Sequence, residues 1–248
     1  MKKIALIFCS LLIAACSEAQ VVQYRPKVVK EYPHSVTAYT QGLFFHDGVL
    51  YESTGQYGGS AIRTVNLQDG KSIVEKKFNN KYFGEGSVIL NGDLFILTWM
   101  NKVAFIYDAK TLTYKRTVSY PRQGWGLTTD GKQLIASDGS SNLYFMNTSL
   151  KLQKTLPVTL NGRPLRNLNE LEWIDGKIWA NVYLTDMIVI INPKNGKVEG
   201  KIDCTGLLPA NLKTPDTDVL NGIAVDGKGH IFLTGKNWPR MYEIELIK

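Results

Sequence analysis

The sequence predicts an all-β fold, a five-bladed β-propeller whose ring is closed by an N-terminal strand. Three observations lead to this prediction. Five segments place an Asp-Gly or Asn-Gly dipeptide between two apolar runs, these dipeptides recur 39 to 51 residues apart, and no long segment has helical periodicity. The chain of 248 residues is long enough for one large all-β domain.

Each dipeptide predicts a tight hairpin, because the type I′ turn needs a positive φ at both central residues and Asn, Asp and Gly tolerate it. The five are Asp47-Gly48, Asn91-Gly92, Asp130-Gly131, Asp175-Gly176 and Asp226-Gly227. A second turn follows some of these hairpins, at Asp69-Gly70, Asp108–Lys110 and Asn192–Gly196. Each unit is therefore expected to hold four antiparallel strands, which is typical of a propeller blade. The regular spacing disfavours the alternative, a plain β-sandwich.

The last unit is short, because only 26 residues follow Gly222, room for about three strands. The segment Lys27–Tyr32 has the composition of a strand and precedes the first unit. We expect it to supply the missing strand and close the ring, since closure hides sheet edges that would otherwise be exposed.

The N-terminus has the pattern of a bacterial lipoprotein signal. Lys2 and Lys3 precede an apolar run over residues 4–15, which ends in small residues directly before Cys16. This pattern predicts a signal peptide at 1–15, a lipidated tether at 16–26 and a single propeller domain at 27–248. We expect export to the cell envelope, with a lipid on Cys16 as the membrane anchor; Ser17, where inner-membrane lipoproteins carry Asp, favours the outer membrane. Ordinary secretion with cleavage nearby is the alternative.

Cysteine usage and charge argue against an internal disulfide and against a nucleic-acid partner. Cys9 leaves with the signal and Cys16 carries the lipid, so Cys204 has no partner for an internal disulfide and is expected to be buried and inert. The net charge is +7, but the basic residues are scattered, so no nucleic-acid partner is expected. The sequence does not indicate an oligomeric state.

Pseudo-symmetry of the repeats predicts a ligand pocket. The residues before the first strand of each unit, and those that end its second strand, should ring the same mouth of the propeller. They are Gln41, Glu85, Trp125, Asn169, Glu170, Asn221, Ser53, Thr54, Thr98, Trp99, Ser137, Asp138, Asn181, Tyr183, Gly235 and Lys236. Apolar walls with a few convergent polar groups are expected of a site for a small ligand.

Other chemistries find less support. His34, His46 and His230 lack the close spacing of a zinc site on a helix. Neither a Gly-x-Ser-x-Gly elbow nor a phosphate-binding loop occurs. We expect catalysis to need no metal and no other cofactor, while a structural cation in the central channel is left open.

Eleven short stretches in this order resemble the plant and bacterial type of glutaminyl-peptide cyclotransferase. They are Tyr32–His34, Ala38–Leu43, Tyr51–Gly55, Phe83–Gly86, Leu97–Trp99, Gly124–Leu127, Ser137–Ser140, Leu168–Glu172, Trp179–Val182, Asp218–Ala224 and Thr234–Pro239. The resemblance implies a five-bladed propeller that converts the N-terminal glutamine of peptides and proteins to pyroglutamate and releases ammonia.

The resemblance also implies roles for individual residues. It implies a catalytic part for Glu85, and because one carboxylate can act first as base and then as acid, Glu85 is the candidate for both roles. Its flanking Gly84 and Gly86 are expected to let the backbone approach a ligand closely. The implied substrate pocket consists of Tyr39, Gln41, Phe83, Trp99, Trp125, Asn169, Tyr183 and Lys236. Two of these depart from the family pattern, because Tyr39 stands where Phe is usual and Tyr183 where Trp is common. Two alternatives stay open: a non-catalytic propeller that presents its mouth to a partner protein, and a calcium-dependent lactonase-type propeller.

Overall fold

The computed structural model describes residues 20–248, so the predicted signal peptide and Cys16 lie outside the described residues. This part of the chain is all-β, as predicted, with 22 strands and one 3-10 helix at Ala210–Leu212. Between residues 20 and 248 no helix has both the length and the apolar character needed to cross a membrane.

After the first strand, the chain forms three antiparallel four-stranded sheets in sequence order. The first strand is β1 (Val22–Pro33). The first sheet contains β2 (Thr40–His46), β3 (Val49–Thr54), β4 (Ala61–Val65) and β5 (Ser72–Lys77). The second contains β6 (Gly84–Leu90), β7 (Asp93–Thr98), β8 (Val103–Asp108) and β9 (Tyr114–Ser119). The third contains β10 (Leu127–Thr129), β11 (Leu134–Ala136), β12 (Asn142–Met146) and β13 (Leu152–Pro157).

A short hairpin and one eight-stranded sheet complete the fold. The hairpin pairs β14 (Thr159–Leu160) with β15 (Arg163–Pro164). The remaining strands are β16 (Leu168–Ile174), β17 (Lys177–Val182), β18 (Met187–Ile191), β19 (Val198–Asp203), β20 (Leu220–Val225), β21 (Ile231–Gly235) and β22 (Arg240–Ile247). Their order in the sheet is β16-β17-β18-β19-β1-β22-β21-β20, so β1 joins two runs of strands.

Strand β1 is longer than the sequence predicts. It pairs antiparallel with β22 from Arg25 to Pro33, and in parallel with β19 over Val22–Tyr24. Residues 22–26, which the sequence places in the tether, therefore belong to the sheet. The hydrogen bonds of two neighbouring strands hold this segment, although its sequence carries little apolar periodicity.

Three of the five predicted hairpins have the predicted turn. Asp47 and Gly48 have φ values of 50° and 77°, and the corresponding values are 54° and 77° at Asn91-Gly92 and 48° and 74° at Asp175-Gly176. Each dipeptide occupies a two-residue loop between strands.

The type I′ prediction is wrong for the other two hairpins. Both loops are longer, and the Asp side chain binds backbone N–H groups within the loop. Asp130 accepts from the N–H groups of Lys132 and Gln133, both at 2.8 Å. Asp226 accepts from the N–H groups of Lys228 at 2.8 Å and His230 at 2.9 Å.

Burial falls from the first strand of a sheet to the last. All seven residues of β6 are buried, whereas all six of β5, the last strand of the preceding sheet, are exposed. The apolar side chains between sheets form shared clusters; in one, Phe95 and Leu97 of the second sheet pack with Leu134 and Met146 of the third. The first strands therefore lie at the centre of the molecule.

Hydrogen bonds near these first strands connect successive sheets, and one of them links β17 with β20 within the eight-stranded sheet. The donors and acceptors are Ser53 Oγ to the Glu85 carbonyl (2.7 Å), Gly86 N to the Trp125 carbonyl (2.7 Å), Ser137 Oγ to the Asn169 carbonyl (2.7 Å), Gly222 N to Asn181 Oδ1 (3.1 Å) and Asn221 Nδ2 to the Thr40 carbonyl (2.9 Å). The bonds follow chain order, and the last one returns from β20 to β2.

Candidate functional site

Irregular pairing of the central strands places the polar side chains of the site. The register shifts between Thr40 and Gly42 in β2, and between Gly84 and Ser87 in β6. It also shifts between Leu168 and Leu171 in β16, and between Leu220 and Ile223 in β20. The residues at these shifts include Gln41, Glu85, Asn169, Glu170 and Asn221. A bulged residue leaves the regular ladder, so its side chain can be aimed away from the sheet.

One cavity of about 200 Å³ collects the predicted site residues. Its lining consists of Tyr39, Gln41, Gln56, Phe83, Glu85, Trp99, Trp125, Asn169, Tyr183 and Lys236. All nine residues predicted to bind or transform the substrate are present, and Gln56 is the addition.

Glu85 is the buried acid of this cavity. Its side chain is 4% exposed, and its carboxylate forms no hydrogen bond within residues 20–248. Burial raises the pKa of Glu85 well above its usual range, and the positive charge of Lys236 opposes this shift. A carboxyl group with a raised pKa is a stronger base when it is ionised, and it can donate the proton again once it has accepted one.

The two glycines beside Glu85 serve packing between sheets. A Cβ atom at Gly84 would lie 2.7 Å from the Thr54 carbonyl oxygen, and one at Gly86 would lie 2.5 Å from the Trp125 carbonyl oxygen. The expectation that these glycines open the backbone to a ligand is therefore corrected: neighbouring sheets occupy that space, and of these three residues only Glu85 lines the cavity.

Lys236 supplies a buried cation next to two phenol rings. Its Nζ lies 4.7 Å from the ring centre of Tyr39 and 4.9 Å from that of Tyr183. Burial lowers the pKa of Lys236, while Glu85 and Asp218 act in the opposite direction. The negative faces of the rings stabilise the ammonium group in place of water. Both positions that depart from the family pattern thus contact this lysine.

A hydrogen bond fixes Tyr39 against the wall. Its hydroxyl donates to Asp218 Oδ2 at 2.8 Å, and burial, followed by this bond, raises the pKa of Tyr39 above its usual range. Phe83 lies edge-on to Tyr39 at 6.2 Å and to Trp99 at 5.6 Å between ring centres. The opposite wall pairs Trp125 with Tyr183 at 5.4 Å.

The two tryptophans differ in the state of the indole N–H. Trp99 Nε1 donates to Gln123 Oε1 at 3.0 Å. Trp125 Nε1 and Asn169 Oδ1 are buried and have no partner among the described residues. Unpaired buried polar atoms are costly, and both residues line the cavity, so these two atoms are candidates to bind a ligand there.

We expect Trp125→Phe to lower kcat about tenfold or more, because it removes the free donor and keeps an aromatic wall. Trp99→Phe is the matched control: its N–H already binds Gln123, so the expected loss is smaller. Steady-state kinetics with a melting curve for each variant measure this. Equal losses in the two variants would contradict a special role for the Trp125 N–H.

Several members of the predicted ring lie outside the cavity lining. Ser53 and Ser137 donate to carbonyl groups of the next sheet, and Asn181 accepts from Gly222 N. Asp138 accepts from Ser140 N at 3.0 Å. These short polar side chains connect neighbouring units or stabilise turns. They lie at the strand ends that pseudo-symmetry predicts, but they do not line the cavity.

Two buried carboxylates hold the central strands together. Glu170 accepts from the N–H groups of Leu43 at 3.1 Å and Ile223 at 2.9 Å. Glu172 accepts from Val225 N at 3.2 Å. Burial raises the pKa of Glu172 to about 8, against three weaker hydrogen-bond effects.

We expect the stability of the protein to fall as the pH rises from about 4.5 to 8, in part because of Glu172. In this window the carboxyl is ionised in the unfolded chain but stays protonated in the fold. Glu172→Gln is neutral throughout, so its stability relative to the parent should be higher at pH 8 than at pH 4.5 by on the order of 3 kcal/mol. Urea unfolding at both pH values measures this, and an equal difference at the two would refute it.

The rest of the described chain offers neither a metal-binding cluster nor a reactive cysteine as a second reactive centre. No group of three or more His, Cys, Asp or Glu side chains in residues 20–248 is arranged to hold a metal ion. Cys204 is 2% exposed, as the sequence predicts, and burial raises the pKa of its thiol to about 12.

Comparison with known proteins identifies the family. The family model described as glutamine cyclotransferase matches residues 3–246. The chain belongs to this family. It is 44% identical over 226 residues to the glutaminyl-peptide cyclotransferase of Arabidopsis thaliana, covering 89% of this chain and 71% of the relative. The crystal structure of the glutaminyl cyclase of Myxococcus xanthus superposes with a TM-score of 0.86 at 36% identity, covering 92% of this chain and 98% of the other.

Proposed function

We propose that the cavity binds the N-terminal glutamine of a peptide or protein and converts it to pyroglutamate with release of ammonia. The observation that carries the proposal is Glu85, a buried carboxyl without a hydrogen-bond partner in the described chain, in a cavity with free polar groups. The family and the names of its relatives, glutaminyl-peptide cyclotransferase and glutaminyl cyclase, support the same reaction.

The reaction is an intramolecular acyl transfer. The α-amino nitrogen attacks the γ-carbonyl carbon, the C–N bond to the amide nitrogen breaks, and a five-membered lactam forms. Because the nucleophile is tethered, the site must mainly hold the side chain in a folded conformation. Glu85 accepts a proton from the attacking amine and delivers it to the leaving nitrogen, which departs as ammonia. The raised pKa of Glu85 suits both transfers.

The unpaired polar atoms support the other roles that we propose. Trp125 Nε1 is the donor for the oxyanion that develops on the γ-carbonyl. Asn169 Oδ1 accepts from the substrate amine or amide. Gln41 has its oxygen bound by Asn221 Nδ2 at 3.3 Å, which leaves its NH₂ group for a substrate carbonyl. Lys236 adds positive charge near the developing anion.

We infer that the sheets are the five blades of a propeller. Four blades are β2–β5, β6–β9, β10–β13 and β16–β19; β20–β22 with β1 as outer strand make the fifth. The hydrogen bonds between these units support this arrangement, since they run in order and return from the fifth blade to the first. The antiparallel pairing of β1 with β22 supports closure by the N-terminal strand.

The test of the function is a peptide with N-terminal glutamine incubated with the purified protein. The expected result is loss of the mass of ammonia from the peptide and appearance of free ammonia. Binding of the peptide without any mass change would instead favour a non-catalytic propeller. A chelator that abolishes the activity, restored by added metal, would refute our further proposal that catalysis needs no metal.

We propose that the mature protein starts at Cys16, carries a lipid there and is held in the cell envelope, in the outer membrane. The support is the sequence before Cys16, with basic residues and an apolar run that end in small residues. Mass spectrometry of the native protein tests this, and an unmodified Cys16 would contradict it.

A further inference from the structure

A second cavity continues the site outward. This outer groove of about 420 Å³ is lined by Val36, Thr37, Tyr39, Gly55, Gln56, Gly59, Asp216 and Asn237. Tyr39 and Gln56 line both the groove and the inner cavity. A peptide whose glutamine fills the inner cavity must continue outward, and a groove that shares two walls with that cavity offers a direct path.

Gln56 stands at the junction in an unfavourable backbone conformation. Its φ is 86°, which a residue with a Cβ rarely adopts. Two bonds hold it there, since its carbonyl accepts from Ser60 Oγ at 2.7 Å and Gly59 N at 3.1 Å. Ser60 Oγ in turn accepts from Gly84 N at 2.8 Å, next to the catalytic Glu85. The turn is thus tied to the catalytic strand, while the Gln56 side-chain amide binds nothing within the described chain.

Hydrogen bonds also hold the part of the groove formed by Asp216 and Asn237. Asn237 Nδ2 donates to the Asp216 carbonyl at 2.9 Å, and Asn237 N donates to the Ala38 carbonyl at 2.7 Å. Of the eight lining residues, Asp216 alone carries a charge. Its exposed carboxylate forms no hydrogen bond or ion pair with the described residues. The groove therefore presents one unpaired negative charge beside neutral surfaces.

We propose that the outer groove binds the second and third residues of the substrate peptide and prefers a basic side chain there. The Gln56 amide bonds the peptide group that follows the glutamine, and the Asp216 carboxylate pairs with a lysine or arginine side chain. The proposal rests on the cyclase function and adds a substrate preference to it. An acidic side chain in the same place meets like charge and is disfavoured.

The first test compares two peptides that differ only in having Lys or Glu after the N-terminal glutamine. For the parent protein we expect kcat/KM to favour the Lys peptide about tenfold at low salt, because each charge at contact distance near water changes binding by about threefold. Asp216→Asn should remove most of the preference, and Asp216→Lys should reverse it. Glu245→Lys, at an exposed position of strand β22, makes the same change in net charge outside the groove and should keep the parent ratio.

The second test replaces the strained residue. Gln56→Gly removes the amide but adopts a positive φ at no cost, so its melting temperature should not fall. Its KM for either peptide should rise about fivefold to tenfold, the loss expected for a hydrogen bond to substrate. If Gln56 had only a structural role, its replacement would not raise KM while leaving the melting temperature unchanged.

The outcomes separate this proposal from the function on which it rests. Glutamine amide, which ends before the groove, serves as the reference substrate. Ammonia from glutamine amide with equal rates on both peptides would overturn the groove and leave the cyclase standing. The proposal would also be overturned if Glu245→Lys changed the ratio of kcat/KM between the two peptides as strongly as Asp216→Lys does. No ammonia from any substrate would overturn both.

Discussion

We expect the Glu85→Gln variant to lose about 10²–10⁴-fold in kcat while it still folds and binds a glutamine peptide. The substitution keeps the size and shape of the side chain but removes its capacity to carry a proton between the attacking amine and the leaving nitrogen. Because the carboxylate forms no hydrogen bond in the described chain, the change breaks none there. Ammonia release under steady-state conditions, with a melting curve, measures the effect.

The matched control is Glu172→Gln, which makes the same change at a buried carboxyl outside the cavity lining. It should keep a kcat near that of the parent protein. A folded Glu85→Gln variant with the parent kcat would remove Glu85 from the mechanism.

The second large effect is on stability, and it concerns Glu52. This carboxylate is fully buried; it accepts from Arg63 Nη2 at 2.6 Å and from His34 Nε2 at 3.0 Å. Burial opposes its ionised form, but His34 and Arg63 outweigh burial and hold the pKa of Glu52 well below its usual range. His34 Nδ1 also faces a backbone oxygen, that of Trp238 at 2.7 Å, so each ring nitrogen has a buried oxygen within hydrogen-bond distance.

We expect Glu52→Ala to lower the free energy of unfolding by about 3–5 kcal/mol at neutral pH, because it leaves the buried Arg63 guanidinium without a counter-ion and removes the hydrogen-bond partner of His34 Nε2. The contribution of Glu52 is present above the usual pKa of a glutamate, and is lost only as the pH falls through the lowered value. Chemical denaturation measures the change. The matched control is Glu245→Ala, whose ion pair with Lys27 is more than half exposed and should be worth at most about 1 kcal/mol. Equal losses in the two variants would contradict this account.

The effect of Glu52 also concerns the site, because the same cluster touches its walls. Thr40 Oγ donates to Glu52 Oε1 at 2.7 Å and directly precedes Gln41. Trp238, bound by His34, lies two residues after Lys236 and donates its indole N–H to the Asp218 carbonyl at 2.8 Å. Loss of the cluster should therefore disturb substrate binding as well as stability.

The sequence predicted which side chains meet in one cavity better than the details of the backbone. Nine site residues converge as expected, because each stands at an equivalent place in a repeat or in a stretch that resembles the family. Glu85 and Gln41 precede a glycine at the start of a central strand, and this pattern marks the bulge that aims them inward. Such short patterns recur at equivalent positions of the repeats, so they can be recognised in a single sequence.

Other features depend on contacts that no local pattern records. Gln56 has no counterpart in the other repeats, and only its φ of 86° and the bonds to its carbonyl bring it to the cavity. Asp218 lies in a stretch that resembles the family, yet its bond to Tyr39 joins residues 179 positions apart. Only the position of Gln123 distinguishes the bonded indole N–H of Trp99 from the unpaired one of Trp125.

The most direct test of the central claim follows the γ-amide nitrogen. A peptide with an isotopic label on that nitrogen of its N-terminal glutamine is incubated with the parent protein and, in parallel, with Glu85→Gln. We predict that the parent releases the label as ammonia and leaves an unlabelled pyroglutamyl peptide, while the variant binds the peptide and releases almost none. Label retained in the product, or release at the same rate by both proteins, would contradict the account.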